Sequence, residues 1–599
     1  MTAREAGRGE FTPRAIAAAA IVAAIIGASY PYIVLKLGFG PNISVVAAFF
    51  GYLLMVVVLR MKTFSRWENN IVQAAGTSAG QTAFMCIVLA AFDLLNRNLT
   101  PDKQILLERW QIFAWLLVAG LMGVLMAVPM RHHFIEEAKL PYPDGIAAAE
   151  TILVLDAGGA NARGPARALS WGTLAALVTT WFRDGHPRLV KLLDAKGTIS
   201  KALAEKLDWL LTIPEASFFG SLGARFHAAP LNFGLSWSLL SIGSGMLVGL
   251  RVNLSIALGM VVSWLVFPSL LFDAGVIKTI TYKETLRWVM WPAVGMMVSG
   301  GLTALALKWR MLVRTFKSLS GSRVGGDDLP MRWVGGGLAV LTVALVLVQK
   351  VSMGIPAWQT LIAILLSIPL MLVSLRVLGE TNWGPISTMG NMMQAIFALL
   401  APGSMAANMT ASGMTGSIAA GSEGIIQNYK TGKLIGSSNK LLTYAQLLAI
   451  PVGAAAVTII YPILAARYGV GGDHGLSAPT AVKWAGFAEI LSKGWSALPR
   501  GCFTAFLITF ALGIVLTLLE QRWKKITPSP SAVGLGMLLP GAATLMMTVG
   551  GIIEWAWRKR SPKSAEALIA PLSSGFIAGE AICAVIIPVL ITLGLLAAE

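Results

Sequence analysis

Carboxamides and carboxylates set inside long apolar runs are the side chains of this sequence with chemistry to do, because polar groups are costly at membrane depth. Glu68-Asn69-Asn70 and Gln73 head one such run, which continues as Gly76-Thr77-Ser78-Ala79-Gly80-Gln81. Asn70 and Gln73 are three residues apart, so a helix would present both amides on one face. Amides so placed can hydrogen-bond a peptide-like ligand, and the small residues let a ligand or a second helix approach the backbone. Packing between helices accounts for the same pattern. In the second half, Gly384-Pro385 leads to Asn391 and Gln394, and Asn408 opens a run of Ser412, Gly413, Thr415, Gly416 and Ser417 that ends near Glu423. The candidate ligand-binding residues are Asn70, Gln73, Gln81, Asn391, Gln394, Asn408 and Gln446.

Three carboxyls are candidates for proton coupling: Glu68, Glu150 and Glu580. Glu150 lies almost two turns into the apolar helix that follows Leu140-Pro141-Tyr142-Pro143-Asp144-Gly145, where Asp144 can cap. Desolvation of a carboxyl there would favour the neutral acid, which suits a proton carrier. A plain ion pair with a nearby base is the other reading. Lys430 and Lys433, in Asn428-Tyr429-Lys430-Thr431-Gly432-Lys433, are either functional or a signal of the cytoplasmic side.

Several chemistries are missing. Gly432-Lys433 is followed by Leu434, so there is no phosphate-cradling loop for ATP. His132-His133 is an isolated pair without His-Glu-x-x-His, and Cys86, Cys502 and Cys583 lack disulfide or zinc spacing. With no nucleophile–base pair either, no catalytic residue, metal site or cofactor is expected, and an enzyme is disfavoured.

The elements that must position these groups follow from composition. Of 599 residues 56% are hydrophobic and 13% charged, about half the charged share of a soluble chain. At ~20 residues per crossing the sequence predicts an all-α polytopic membrane protein of about 14–16 membrane segments, some re-entrant or broken. The formal charge of +18 gathers in short loops, which points to positive-inside topology and anionic lipid headgroups rather than nucleic acid. Ala15 to Leu37 follows Arg4, Arg8 and Arg14 and is too long for a signal peptide. It is expected to be a retained first helix in the cell membrane, with a cytoplasmic N-terminus.

The chain divides into a cytoplasmic N-terminus (1–14), a first repeat (15–272) with a hydrophilic insertion at 183–229, connecting helices with a basic loop at 308–332 (273–355), and a second repeat (356–599). The repeat rests on echoes. Leu35 to Gly38, Gly40-Pro41 and Ile43-Ser44 return as Leu375 to Gly379, Gly384-Pro385 and Ile386-Ser387. Asn70 and its small-residue run return as Asn408 and its own, and Pro230, Gly234 and Leu235, read as part of a span from Pro230 to Leu250, return as Pro530, Gly534 and Leu535. Loop charges make the two halves inverted. Ser531 to Trp557 has basic residues at both ends and Pro540-Gly541 between, which predicts a re-entrant pair of half-helices or one long kinked span.

These strings resemble the oligopeptide transporter family, in its prokaryotic branch related to the plant yellow-stripe metal-chelate carriers. The resemblance is carried by Glu68-Asn69-Asn70-Ile71-Val72-Gln73, Leu140 to Gly145 with Glu150, Lys430-Thr431-Gly432, Pro530-Ser531 through Gly536, and Gly579-Glu580. Asn428-Tyr429 and Asp144 depart from the family's pattern. The resemblance implies proton-driven symport of small peptides or peptide-like metal chelates, such as siderophore complexes. Buried carboxyls, broken amide-rich segments and repeated halves suit alternating access. A passive channel is the alternative, but no filter motif or ring of one charge is present. Gly245-x-x-x-Gly249 fits packing within one chain or between the chains of a homodimer.

Overall fold

The computed structural model describes residues 9–597 apart from 39, 41–42, 62–63, 98, 100–103, 158, 215, 223–225, 308–327, 382–383, 472–475, 494–498 and 524–525. Most of the basic loop at 308–332, and Arg4 and Arg8, lie outside the described residues. A chain this apolar folds as helix because a helix satisfies every backbone N–H and C=O within its own segment. Among the described residues nine helices are long and apolar enough to cross a membrane. Among the described residues the named strands form two short antiparallel pairs between residues 216 and 236. The all-α polytopic architecture is therefore as expected.

The first half opens with α1 (Pro13–Leu37), α2 (Ile43–Tyr52) and α3 (Arg66–Phe84). Then come α4 (Cys86–Asn96), α5 (Arg109–Ala127), α6 (Pro143–Ala157) and α7 (Gly159–Thr180). A polar arm of α8 (His186–Ala195), α9 (Lys201–Leu211) and the strand pairs leads to α10 (Leu239–Val248), α11 (Leu250–Val261), α12 (Phe267–Asp273) and α13 (Tyr282–Ala306). After α14 (Met331–Met353) the second half runs α15 (Ala357–Thr381), α16 (Ile386–Leu400), α17 (Met405–Ile435) and α18 (Asn439–Tyr468). It ends with α19 (Pro479–Lys493), α20 (Cys502–Arg522), α21 (Pro530–Leu538), α22 (Gly541–Arg560) and α23 (Pro562–Thr592). Shorter apolar helices, Ile43–Val56, Leu239–Val248 and Ile386–Leu400, add half-length segments to the long ones.

Two of the three echoes fall on matching elements. In each half a long helix ends at a glycine-bearing turn, a short helix follows, and both pack on a third: α1–α2–α3 and α15–α16–α17. Within a half the first and third helices run parallel. Arg14 meets Glu68 and Pro31 meets Cys86 in one half, while Ser367 meets Thr415 and Ser374 meets Glu423 in the other. Between halves the third helices run antiparallel, because Asn70 meets Ser437, Gln73 meets Asn428 and Met85 meets Gly416. That is an inverted repeat. The third echo fails: Pro230 lies in a single 3-10 turn and Gly234–Ser236 is strand, whereas Pro530–Leu538 is helix. The helix expected from Pro230 begins instead at Leu239, after Asn232 takes a left-handed conformation (φ 53°) that a helix interior does not hold.

The segment around Pro540 turns back. Leu539 and Pro540 are extended and separate α21 from α22. A Cβ on Gly536 would meet the Ile256 carbonyl, and one on Gly551 would meet Asn253 and Leu250, so both ends close on one stretch of α11. A straight helix would set Gly536 and Gly551 ~22 Å apart at 1.5 Å per residue. Glycines are needed there because the backbones touch. Gly245 likewise closes on the Met547 carbonyl, whereas Gly249 takes a positive φ (84°) with nothing packed on it. At the periphery, α14 and α20 bury little and present Val340, Val343, Leu347, Ile508 and Val515 outward. Such all-round apolar helices are suited to lipid contact.

Candidate functional site

Ser65 fixes where α3 begins. Its hydroxyl accepts from the Glu68 N–H while the Glu68 carboxylate accepts from the Ser65 N–H, a capping box that aims the next two turns inward. From there α3 runs against α17 and α18, and the first cargo candidates line that seam. Gln73 Nε2 donates to Asn428 Oδ1 at 2.8 Å and to Thr77 Oγ1 at 3.0 Å. Asn70 Nδ2 donates to Ser437 Oγ at 2.9 Å, and Ser78 Oγ to the Gln446 carbonyl at 3.3 Å. Gln81 packs over Gly424 one turn further on. Asn70 Oδ1, Gln73 Oε1, Gln427 Oε1 and both side-chain polar atoms of Gln446 are buried without a hydrogen-bond partner among the described residues. Amides with spare donors and acceptors inside a membrane protein are the chemistry a peptide-like ligand needs. Beside them Ser78, Gln81, Thr82, Ser417 and Gly421 line a cavity of about 10 Å³, which fits one water molecule.

Asn391, Gln394 and Asn408 form a second, separate cluster. Asn391 donates to Gln394 Oε1 at 2.7 Å, Gln394 Nε2 to the Trp484 carbonyl at 3.0 Å, and Asn408 to the Gln394 carbonyl at 2.6 Å. Asn408 and Asn428 are 20 residues apart on α17, about 30 Å along its axis. The seven candidates therefore do not converge on one ligand. The α3/α17/α18 seam holds Asn70, Gln73, Gln81 and Gln446, while the other three tie α16 to α17 and α19.

The carboxyl candidates differ from their expected environment. Glu68 is buried but fully engaged: Arg14 Nε and Nη2 donate to it at 2.6 and 2.8 Å and Thr12 Oγ1 at 2.5 Å. Glu580 accepts from Lys36 Nζ at 2.9 Å, Arg183 Nη1 at 3.3 Å, Ser238 Oγ at 2.9 Å and the Leu240 N–H at 2.9 Å. It thereby joins α1, the end of α7, the start of α10 and α23. Glu150 lies on the outer surface of α6 rather than packed inside the protein. A side chain one position off the packed face of α6 escapes burial even when its neighbours Ala148 and Ala149 do not.

The proline turn and the Lys430 segment dock on each other, which their separation in sequence conceals. Lys430 Nζ donates to the Leu140 carbonyl at 3.0 Å and Thr431 Oγ1 to the Gly145 carbonyl at 2.9 Å. Tyr142, held at φ 45°, donates its hydroxyl to the Leu375 carbonyl and its N–H to the Gly379 carbonyl. Close by, Arg131 pairs with Asp328 and Glu136, and Lys433 with Glu136. Burial disfavours the charge on Glu136, but Lys433 and Arg131 outweigh it and hold the carboxyl below its ordinary range. Sequence reasoning passed over Asn428, Ser437, Lys36 and Arg183. Lys36, a charge inside an apolar run, carried the one signal that would have drawn notice.

Comparison with known proteins supplies a family. Residues 10–591 match the model of the OPT oligopeptide transporter protein family. A "Probable metal-nicotianamine transporter" of Arabidopsis thaliana is 23% identical over 643 residues, covering 94% of this chain and 84% of that protein. A "Metal-nicotianamine transporter" of the same plant is 23% identical, covering 96% of this chain and 92% of its own length. An "Iron-phytosiderophore transporter" of Oryza sativa subsp. japonica is 22% identical, covering 96% and 90%.

Proposed function

The chain belongs to the oligopeptide transporter family and is a membrane transporter rather than an enzyme, and from that premise we propose that it carries peptide-like metal chelates or small peptides across the cell membrane in symport with protons. The observation that carries the reading is the seam of buried amides between antiparallel α3 and α17, the third helices of two inverted repeats. Sites at a repeat interface are where alternating-access carriers hold cargo. The amides of Gln73, Gln81, Asn428 and Gln446 offer donors and acceptors suited to the amines and carboxylates of an amino-acid chelate. Relatives named for metal–nicotianamine and iron–phytosiderophore transport favour a chelate over a simple peptide.

The cavity at the seam admits a water and no more, so cargo has to enter by separation of the repeats. The N-terminal face, which gathers Arg14, Arg66, Arg131 and Lys433, is the cytoplasmic one by the positive-inside rule. Anionic lipid headgroups are its expected neighbours.

Uptake of iron(III)–nicotianamine and of tri- to pentapeptides into proteoliposomes tests the reading. Wild-type protein takes up the chelate, and Gln73→Ala and Gln446→Ala lower its uptake about tenfold each, the worth of one hydrogen bond. Unchanged uptake in both variants contradicts the seam as the cargo site.

A further inference from the structure

Resting on the reading of the chain as a proton-coupled carrier, we infer that Glu423 is the carboxyl that binds and releases the coupled proton. Glu68 and Glu580 each hold a permanent counter-charge, from Arg14 and from Lys36 with Arg183. Such paired carboxylates keep helices together and have little reason to exchange a proton. Glu423 is different. It is 3% exposed in the middle of α17, and its hydrogen-bond donor is one hydroxyl, Ser374 Oγ, at 2.5 Å on α15.

Among the described residues no charged side chain is hydrogen-bonded or ion-paired to it, the contact being Ser374 alone. Arg376 lies two residues past Ser374 and so faces a different side of α15. Lys430 is turned to the Leu140 carbonyl and Lys433 to Glu136. On α3, Glu68 is clamped by Arg14 at the far end and Arg66 packs its guanidinium over Trp67. On α6, Asp144 and Asp156 lie at the two ends of the helix and Glu150 is exposed. α16 has no charged residue and α5 only Arg109, at its start. The side chain of Glu380 is outside the described set.

The wall over the carboxyl is backbone. A Cβ on Gly384 would fall 1.9 Å from Glu423 Oε2, so the Gly384-Pro385 turn between α15 and α16 closes on the carboxyl itself. A carboxylate in such a place would be an uncompensated charge with one hydroxyl donor, whereas the neutral acid is accommodated. Release of the proton therefore needs Gly384-Pro385 to move off α17. α17 is also the helix whose Asn428 meets Gln73 in the amide seam. One helix thus carries the proton group and the cargo amides about one and a half turns apart. The reaction is one O–H bond formed on one side of the membrane and the same bond broken on the other.

The test uses the full chain in proteoliposomes with iron(III)–nicotianamine as probe, measuring accumulation under an imposed inward proton gradient and exchange at equal concentrations without one. Glu423→Gln is expected to exchange the probe but to lose gradient-driven accumulation, and Glu423→Asp to keep both. Accumulation by Glu423→Gln at the wild-type level overturns the assignment. So does loss of exchange in both variants, which makes the residue a structural one. If the wild-type protein ignores the gradient while exchanging the probe, proton coupling itself fails, and that result is distinct from either.

Discussion

Individual residues divide between those that hold charge in place and those that leave hydrogen-bonding capacity open. Glu580 belongs to the first group. Replacing it by Gln removes the carboxylate that ties half-buried Lys36 to buried Arg183, which keeps Asp184 as its counter-charge, and loss of such a pair costs at most about 3–5 kcal/mol. The expected outcome is a marked fall in the thermal midpoint of the purified protein, measured by intrinsic tryptophan fluorescence, with Glu150→Gln leaving it unchanged because that side chain is exposed. Glu136 supplies a pH dependence of known sign. Its carboxyl is held below the ordinary range, so its contribution is full above that range and is lost as pH falls through the folded value. Protection factors of the amides of residues 132–145, corrected for intrinsic exchange, should therefore fall on acidification, and equal protection at neutral and acid pH would contradict the pairing with Lys433. Asn70, Gln73 and Gln446 were legible in the sequence because an amide inside an apolar run stands out. Whether a carboxyl there is paired is not legible, since Lys36 and Arg183 lie 544 and 397 residues from Glu580.

Elements meet through glycine. At Gly259 a Cβ would fall 2.0 Å from the Val533 carbonyl, and at Gly536 1.9 Å from that of Ile256. Gly259→Leu is expected to push α21 off α11, at a cost of several times the ~1–3 kcal/mol of ordinary overpacking, and to abolish recovery of monodisperse protein. Recovery at the wild-type level would show that the two helices are not in register contact. The turn at Pro540 was readable because basic residues flank the segment on both sides and Pro-Gly marks the tip. The failure of the Pro230 echo has an equally physical origin. Pro, Gly and Leu at fixed spacing occur in strands and turns as well as in helices, and the hydrophilic arm before Leu239 supplies no apolar face for a helix to bury.

At the scale of the whole molecule the inverted repeat decides which groups face the same compartment. Trp209 on the polar arm is 84% exposed, and Lys433 lies at the face that carries the start of α1. With the three native cysteines, all buried, removed, a cysteine at position 209 should label from outside intact cells with an impermeant maleimide, and one at 433 should not. Labelling of both, or of 433 alone, would reverse the orientation. The proposed proton-coupled carrier differs from an open path in one consequence, accumulation of cargo against its own gradient. The measurement that tests it most directly is accumulation of iron(III)–nicotianamine by wild-type proteoliposomes under an inward proton gradient, with and without a protonophore. A proton-coupled carrier brings the internal concentration above the external one, and the difference collapses when the protonophore is added. Uptake that stops at equal concentrations, gradient or none, would contradict it.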